Sequence, residues 1–286
     1  MRKKLICLWI PLLILSACNP SKSETYPPSN YPVEYVFTAD NDVFEQYPDP
    51  IVGTPKNENY WNVSDLDISE IDKNRKLIAF SFDDAPARTI ESILTTFTSY
   101  NEQNPDCKAF CTLFFNGCRF DNATVHQLNS AVALGMELGN HTYSHLDLTT
   151  LTPEKLQWEI DETDRLLEKA DGKTRHLLRA PFGKINDTVK QLAQTPILNW
   201  SIDTLDWTGK TAEEIFDAVF SNKADGAIVL MHDGYTPTVT ALKRLLPALK
   251  EENYQVVSIS QLAKANECTL KNGSVYIRAR KPQNRK

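Results

Sequence analysis

From Lys76 onward, short apolar runs alternate with longer amphipathic stretches, the texture of repeated βα units around a mainly parallel sheet. The runs predict strands at 77–82, 109–115, 136–140, 177–180, 198–202, 227–231 and 255–258. The stretches between them predict helices at 89–100, 123–134, 153–170, 187–194, 212–220 and 237–253. Thr152 before Pro153 marks a helix start, because the hydroxyl can cap while proline occupies the first turn. Repetition on this scale predicts an α/β barrel of about seven parallel strands.

The remainder of the chain has a different texture. Arg2, Lys3 and Lys4 precede an apolar run at 5–15, the form of an export signal and too short to span a bilayer. The run ends in Leu15-Ser16-Ala17-Cys18, which resembles a bacterial lipobox. That resemblance implies cleavage before Cys18, acylation of its thiol and a lipid-anchored protein in the bacterial cell envelope. Residues 18–74, rich in Ser, Pro, Asn, Tyr and Asp, read as a tether. The expected organisation is therefore a signal at 1–17, a tether at 18–74, a catalytic domain at 75–265 and a basic tail at 266–286.

Composition narrows the partners. With 286 residues, 41% of them hydrophobic, the chain can bury a substantial core, and its net charge of −6 disfavours nucleic acid. Nothing in the pattern calls for more than a monomer. Cys107, Cys111, Cys118 and Cys268 remain in the mature chain, where an oxidising compartment would permit disulfides in any of three full pairings. Their spacing suits a zinc knuckle poorly.

Chemistry concentrates where strands are predicted to end. Ser81-Phe82-Asp83-Asp84-Ala85-Pro86 closes a very apolar strand, and two adjacent carboxylates there repel each other unless a cation offsets them. A helix N-cap with an acidic neighbour would explain the pair equally well. His141-Thr142-Tyr143-Ser144-His145 follows another strand; its histidines, four apart, would share one face of a helical turn and reach one metal. A carboxylate from a second strand end would complete a three-ligand catalytic site open to water.

In this order the two segments resemble those of the polysaccharide deacetylases, the NodB-homology group of carbohydrate esterase family 4. Arg179-Ala180-Pro181-Phe182-Gly183, Asp203-Thr204-Leu205-Asp206-Trp207 and Leu230-Met231-His232 resemble three further family segments, so the likeness runs over 77–262. It implies a distorted (β/α) barrel that removes N-acetyl groups from a glycan of the envelope or surroundings, peptidoglycan or a chitooligosaccharide among them. Asp84, His141 and His145 would hold Zn2+ or another divalent metal such as Co2+. Asp83 would be the general base, held by Arg179, and His232 the general acid, raised in pKa by Asp206. The Phe182 N–H would face the oxyanion, while Trp207 and Leu230 would wall the acetyl methyl. Two alternatives are an O-acetyl xylan esterase of the same fold and a catalytically silent glycan-binding lipoprotein. Ala85 departs from the glycine usual in the family, a strained choice if that turn needs positive φ. His126 and His176 match no segment and read as surface or structural residues.

Overall fold

The computed structural model describes residues 51–52 and 59–280. The signal run and Cys18 lie outside them. Within them the chain runs β1 (Ile51–Val52), β2 (Lys76–Ala85), α1 (Ile90–Gln103), β3 (Cys111–Phe115), α2 (Asn122–Ala133), β4 (Glu137–Asn140) and α3 (Pro153–Asp171). It continues through β5 (Leu177–Leu178), α4 (Asp187–Leu192), β6 (Ile197–Leu198), β7 (Ile202–Asp203), α5 (Ala212–Asn222) and β8 (Ala227–His232). It closes with α6 (Thr236–Glu251), β9 (Tyr254–Val257), α7 (Ile259–Ala265), β10 (Cys268–Thr269) and β11 (Val275–Tyr276).

β2 is the hub because its apolar run is buried on both faces: Leu77 through Phe80 and Phe82 are at most 1% exposed. It pairs in parallel with β3 through Phe80–Ala85, with β8 through Ile78–Asp83 and with β9 through Lys76–Ala79. The nine-stranded sheet runs β11-β6-β5-β4-β3-β2-β8-β7, with β9 beside β2. The expected parallel sheet curled into a distorted barrel is what forms.

Its closure differs from the expectation. The strand read at 198–202 is two strands, β6 and β7, and they lie in different parts of the sheet: β6 pairs with β5 and β11, β7 with β8. β6 and β7 do not pair with each other; at 199–201 the backbone changes partners, Asn199 N donating to Tyr276 O and Ser201 N to Ile228 O. Strand periodicity carried over the gap because Leu198 and Ile202, at its two edges, are both buried.

The helices follow the amphipathic stretches. α3 starts as expected, with Thr152 Oγ1 accepting from Lys155 N, and ends at left-handed Gly172. α7, a short helix opened by a Ser258–Gln261 capping box, was not among the expected elements because its seven residues offer little periodicity.

Both ends of the described chain pack further than the tether and tail readings imply. Trp61 Nε1 donates to Ser260 Oγ at 2.8 Å, Trp61 N donates to Leu270 O, and Ile71 is buried. Leu270, Tyr276, Ile277 and Ala279 are buried too, so the tail's first half belongs to the fold rather than to a solvated terminus. Polar composition concealed this, since the apolar partners lie some 200 residues apart in sequence. Cys107 and Cys111 are buried, the first facing Tyr254 O and the second Met136 Sδ.

Candidate active site

Asp83, Asp84, His141, Arg179, Asp203 and His232 all stand at or just past the C-terminal ends of β2, β4, β5, β7 and β8, on one rim of the barrel. Asp83 and His232 are register partners on adjacent strands, so the first and last of the five segments meet directly.

Arg179 explains the first half of the site. It is completely buried, its guanidinium lying 4.2 Å from the Phe114 ring. Its Nε donates to Leu198 O at 2.9 Å and one terminal nitrogen to Asn199 O, the carbonyls at the gap between β6 and β7. The other terminal nitrogen donates to Ser81 Oγ and to Asp83 Oδ1, both at 2.8 Å. One side chain thus satisfies the backbone at the seam and aims a carboxylate. A cation there removes the reason two adjacent aspartates would repel.

Asp84 points elsewhere because its backbone is left-handed, φ 65°, which turns it off the strand alternation. Its carbonyl accepts from Arg119 at the end of the 117–119 turn. The positive φ feared at Ala85 falls one residue earlier, while Ala85, fully buried, pairs with Phe115 just past a register shift in the strand.

The His141–His145 segment is not the expected helical turn. It is a loop with left-handed Thr142 (φ 66°) and His145 (φ 54°). The two rings nonetheless meet, centroids 4.9 Å apart. His141 Nδ1 lies 2.7 Å from Arg179 O. A carbonyl only accepts, so that nitrogen carries the hydrogen and Nε2 presents a lone pair. His141 Nε2 lies 3.9 Å and His145 Nε2 3.5 Å from Asp84 Oδ1.

These three side chains each offer one ligand atom, all within 4.8 Å of one another. Asp84 Oδ1 is buried without a hydrogen-bond partner, a position that leaves a carboxylate oxygen costly unless a cation meets it. Protonation agrees. Burial raises the Asp84 pKa, but His145, His141, His232 and Arg119 together hold it below the usual carboxylate value. Burial pushes His141 well below the ordinary histidine value and lowers His145 as well. One anion and two neutral imidazoles are what a divalent metal requires.

Across the rim, burial also opposes protonation of His232, yet its pKa rises to about 9, because Asp206 and more distantly Asp84 and Asp83 favour the cation. Asp206 Oδ1 meets His232 Nδ1 at 2.7 Å, and Oδ2 accepts from His232 N at 2.8 Å and from Thr238 Oγ1 at 2.7 Å. Leu230 is buried, Trp207 half-buried and Phe182 exposed, the last with its ring 4.8 Å from His145 and its backbone left-handed at φ 61°. Burial leads the causes that raise the Asp203 pKa, and Asp203 accepts from Leu205 N.

Sequence reading missed Thr238, Arg119, Asn140 and Glu159, each of which touches a site residue or its loop. Nothing local singles out a Thr or Glu inside an amphipathic helix. His176 is buried between Asp164 and Asp171 and His126 is exposed, one structural and one at the surface.

A profile described as "Polysaccharide deacetylase" matches residues 70–197. A peptidoglycan-N-acetylglucosamine deacetylase of Bacillus cereus is 35% identical over 202 residues, covering 68% of this chain and 91% of that one. The peptidoglycan-N-acetylmuramic acid deacetylase PdaC of Bacillus subtilis is 30% identical over 227 residues, covering 78% of this chain; this chain spans only 44% of that protein. Among solved structures, a family 4 acetyl xylan esterase from Clostridium thermocellum, in complex with a cobalt ion, superposes with TM-score 0.66 at 26% identity, covering 71% of this chain and 98% of that one.

Proposed function

The chain belongs to the polysaccharide deacetylase family, and from that premise we propose that it is a metal-dependent hydrolase that removes N-acetyl groups from a glycan of the bacterial envelope, peptidoglycan foremost. The observation carrying this reading is the orphaned, buried Asp84 Oδ1 facing two imidazoles whose surroundings keep them neutral. Two peptidoglycan deacetylases among the relatives support the substrate class.

Asp84, His141 and His145 would hold the metal, with Zn2+ suited to one oxygen and two nitrogen donors, and Co2+ suited to the same set. A bound dication supplies Lewis-acid polarisation of the acetyl carbonyl and acidifies water at the site. Asp83, aimed by Arg179, takes the proton of the attacking water. The N–H of Phe182, turned by its left-handed backbone, is the donor proposed for the oxyanion. His232, protonated at neutral pH by virtue of Asp206, gives its proton to the departing amine nitrogen, so water and amide become acetate and free amine. Leu230 and Trp207 wall the acetyl methyl.

The xylan O-acetyl esterase reading retains one specific support, the likeness to the Clostridium thermocellum esterase. Acetate release from a panel of N- and O-acetylated glycans, with and without chelator, tests the proposal. Chelator-sensitive release from N-acetylated glycan is expected; release from acetylated xylan alone would make the protein an esterase, and no release with metal added would make it a binder. We place the enzyme at the membrane through acylated Cys18. Cys18→Ser is expected to leave the membrane fraction with activity intact; a membrane-bound variant would overturn the anchor.

A further inference from the structure

Between the two imidazoles lie three residues, and the backbone N–H of each is tied to α3. Thr142 N donates to Asn140 Oδ1 at 2.8 Å, and the Asn140 amide in turn donates to Ile160 O and Asp164 Oδ1, both at 2.9 Å. Tyr143 N donates to Glu159 O at 3.0 Å. Ser144 N donates to the Glu159 carboxylate at 2.6 Å. The loop carries two left-handed residues, Thr142 and His145, a conformation that persists only where surrounding structure over-determines it.

Glu159 is the unusual member. Its side chain is 0% exposed on a helix that also buries Leu156, Ile160, Thr163, Asp164 and Leu167; Asp164 there has Arg175 and His176 as partners. A carboxylate placed there is costly, and the Lys155 ammonium at 3.0 Å, one turn earlier, offsets part of that cost without explaining the position. The Ser144 N–H, one residue before His145, does explain it.

We propose that Glu159 is a positioning residue that locks the loop so that His145 presents its Nε2 toward Asp84 and His141. The inference rests on the metal-site reading above. What matters is the reach of its carboxylate to Ser144 N rather than its charge, because the partner is a neutral amide. Residues outside the coordinating set that orient a ligand ordinarily contribute about 10–100-fold to metal affinity.

The test is cobalt binding by the full chain, read from the visible absorption of bound Co2+ and from chelator competition, for Glu159→Ala, Glu159→Asp and Glu159→Gln. Glu159→Gln keeps an oxygen within reach of Ser144 N and is expected to bind within about threefold of the parent. Glu159→Asp keeps the charge but withdraws the carboxylate, and is expected to lose about 10–100-fold with an altered cobalt spectrum, as is Glu159→Ala. Should Glu159→Ala fail to fold, the Asp and Gln variants carry the test. Equal binding by all three, or tight binding by Asp with weak binding by Gln, overturns the positioning role. A parent protein that binds no cobalt overturns the metal reading instead.

Discussion

His141, buried, and His232, half-buried, are two histidines on one rim, and their surroundings drive them to opposite charge states. Burial favours the neutral ring in both. At His141 burial, reinforced by the neighbouring His145 and Arg179, outweighs Asp84 and the carbonyl bonded to Nδ1, and the pKa falls well below the ordinary value, with Nε2 left to present its lone pair. His232 meets through its own Nδ1 the carboxylate of Asp206, and it stays cationic to about pH 9. In the mechanism proposed above, that contrast would separate a metal-binding half of the site from a proton-donating half.

The sharpest break of that division is at the carboxylate pair. Asp84→Ala is expected to lose both metal and turnover, whereas Asp83→Asn should retain metal and lose about 10²–10⁴ in kcat. Metal analysis beside acetate release checks it, and equal metal loss in both variants would merge the roles we separate.

Asp206→Asn addresses the other half. His232 can donate only while protonated, so activity is lost as pH rises through its pKa; removing the Asp206 charge should bring that limb down from about 9 toward the ordinary value of about 6.5. A pH profile of kcat measures the shift, expected together with a loss of about 10²-fold at neutral pH. An unmoved alkaline limb would detach His232 from donation.

A smaller effect concerns acid. Because the pKa values of His141 and His145 are lowered, proton competition for the ligands should set in only below about pH 6.5. Metal content after dialysis across a pH series reads this directly; release already at neutral pH would contradict the neutral-ligand half. The smallest effect is at Ala85. Because the left-handed residue is Asp84, Ala85→Gly should bring no relief and cost up to about 1 kcal/mol in chemical denaturation.

The comparison also separates what was legible in advance. Both halves appear in the sequence as short clusters at strand ends, since the residues of a catalytic rim must follow the apolar runs that carry them. The means of assembly were less visible. His141 and His145 meet through a loop with left-handed residues rather than a helical turn, because hydrogen bonds from α3 outweigh the local preference that a four-residue spacing suggests. The break between β6 and β7 was hidden by the unbroken strand alternation of 198–202, and so was the second task of Arg179 in bonding its carbonyls.

By itself the sequence determined the alternating βα order, the strand ends that bear the chemistry and the candidate ligands, all of which depend on residue type at short range. Only the tertiary structure decided which ring nitrogens of His141 and His232 meet a partner, that Asp84 lies within 3.9 Å of both imidazoles while Asp83 nears His141 alone, and where the sheet opens. Those outcomes depend on burial and on hydrogen bonds between residues as far apart as Ser81 and Arg179, and local periodicity carries no information about such pairs.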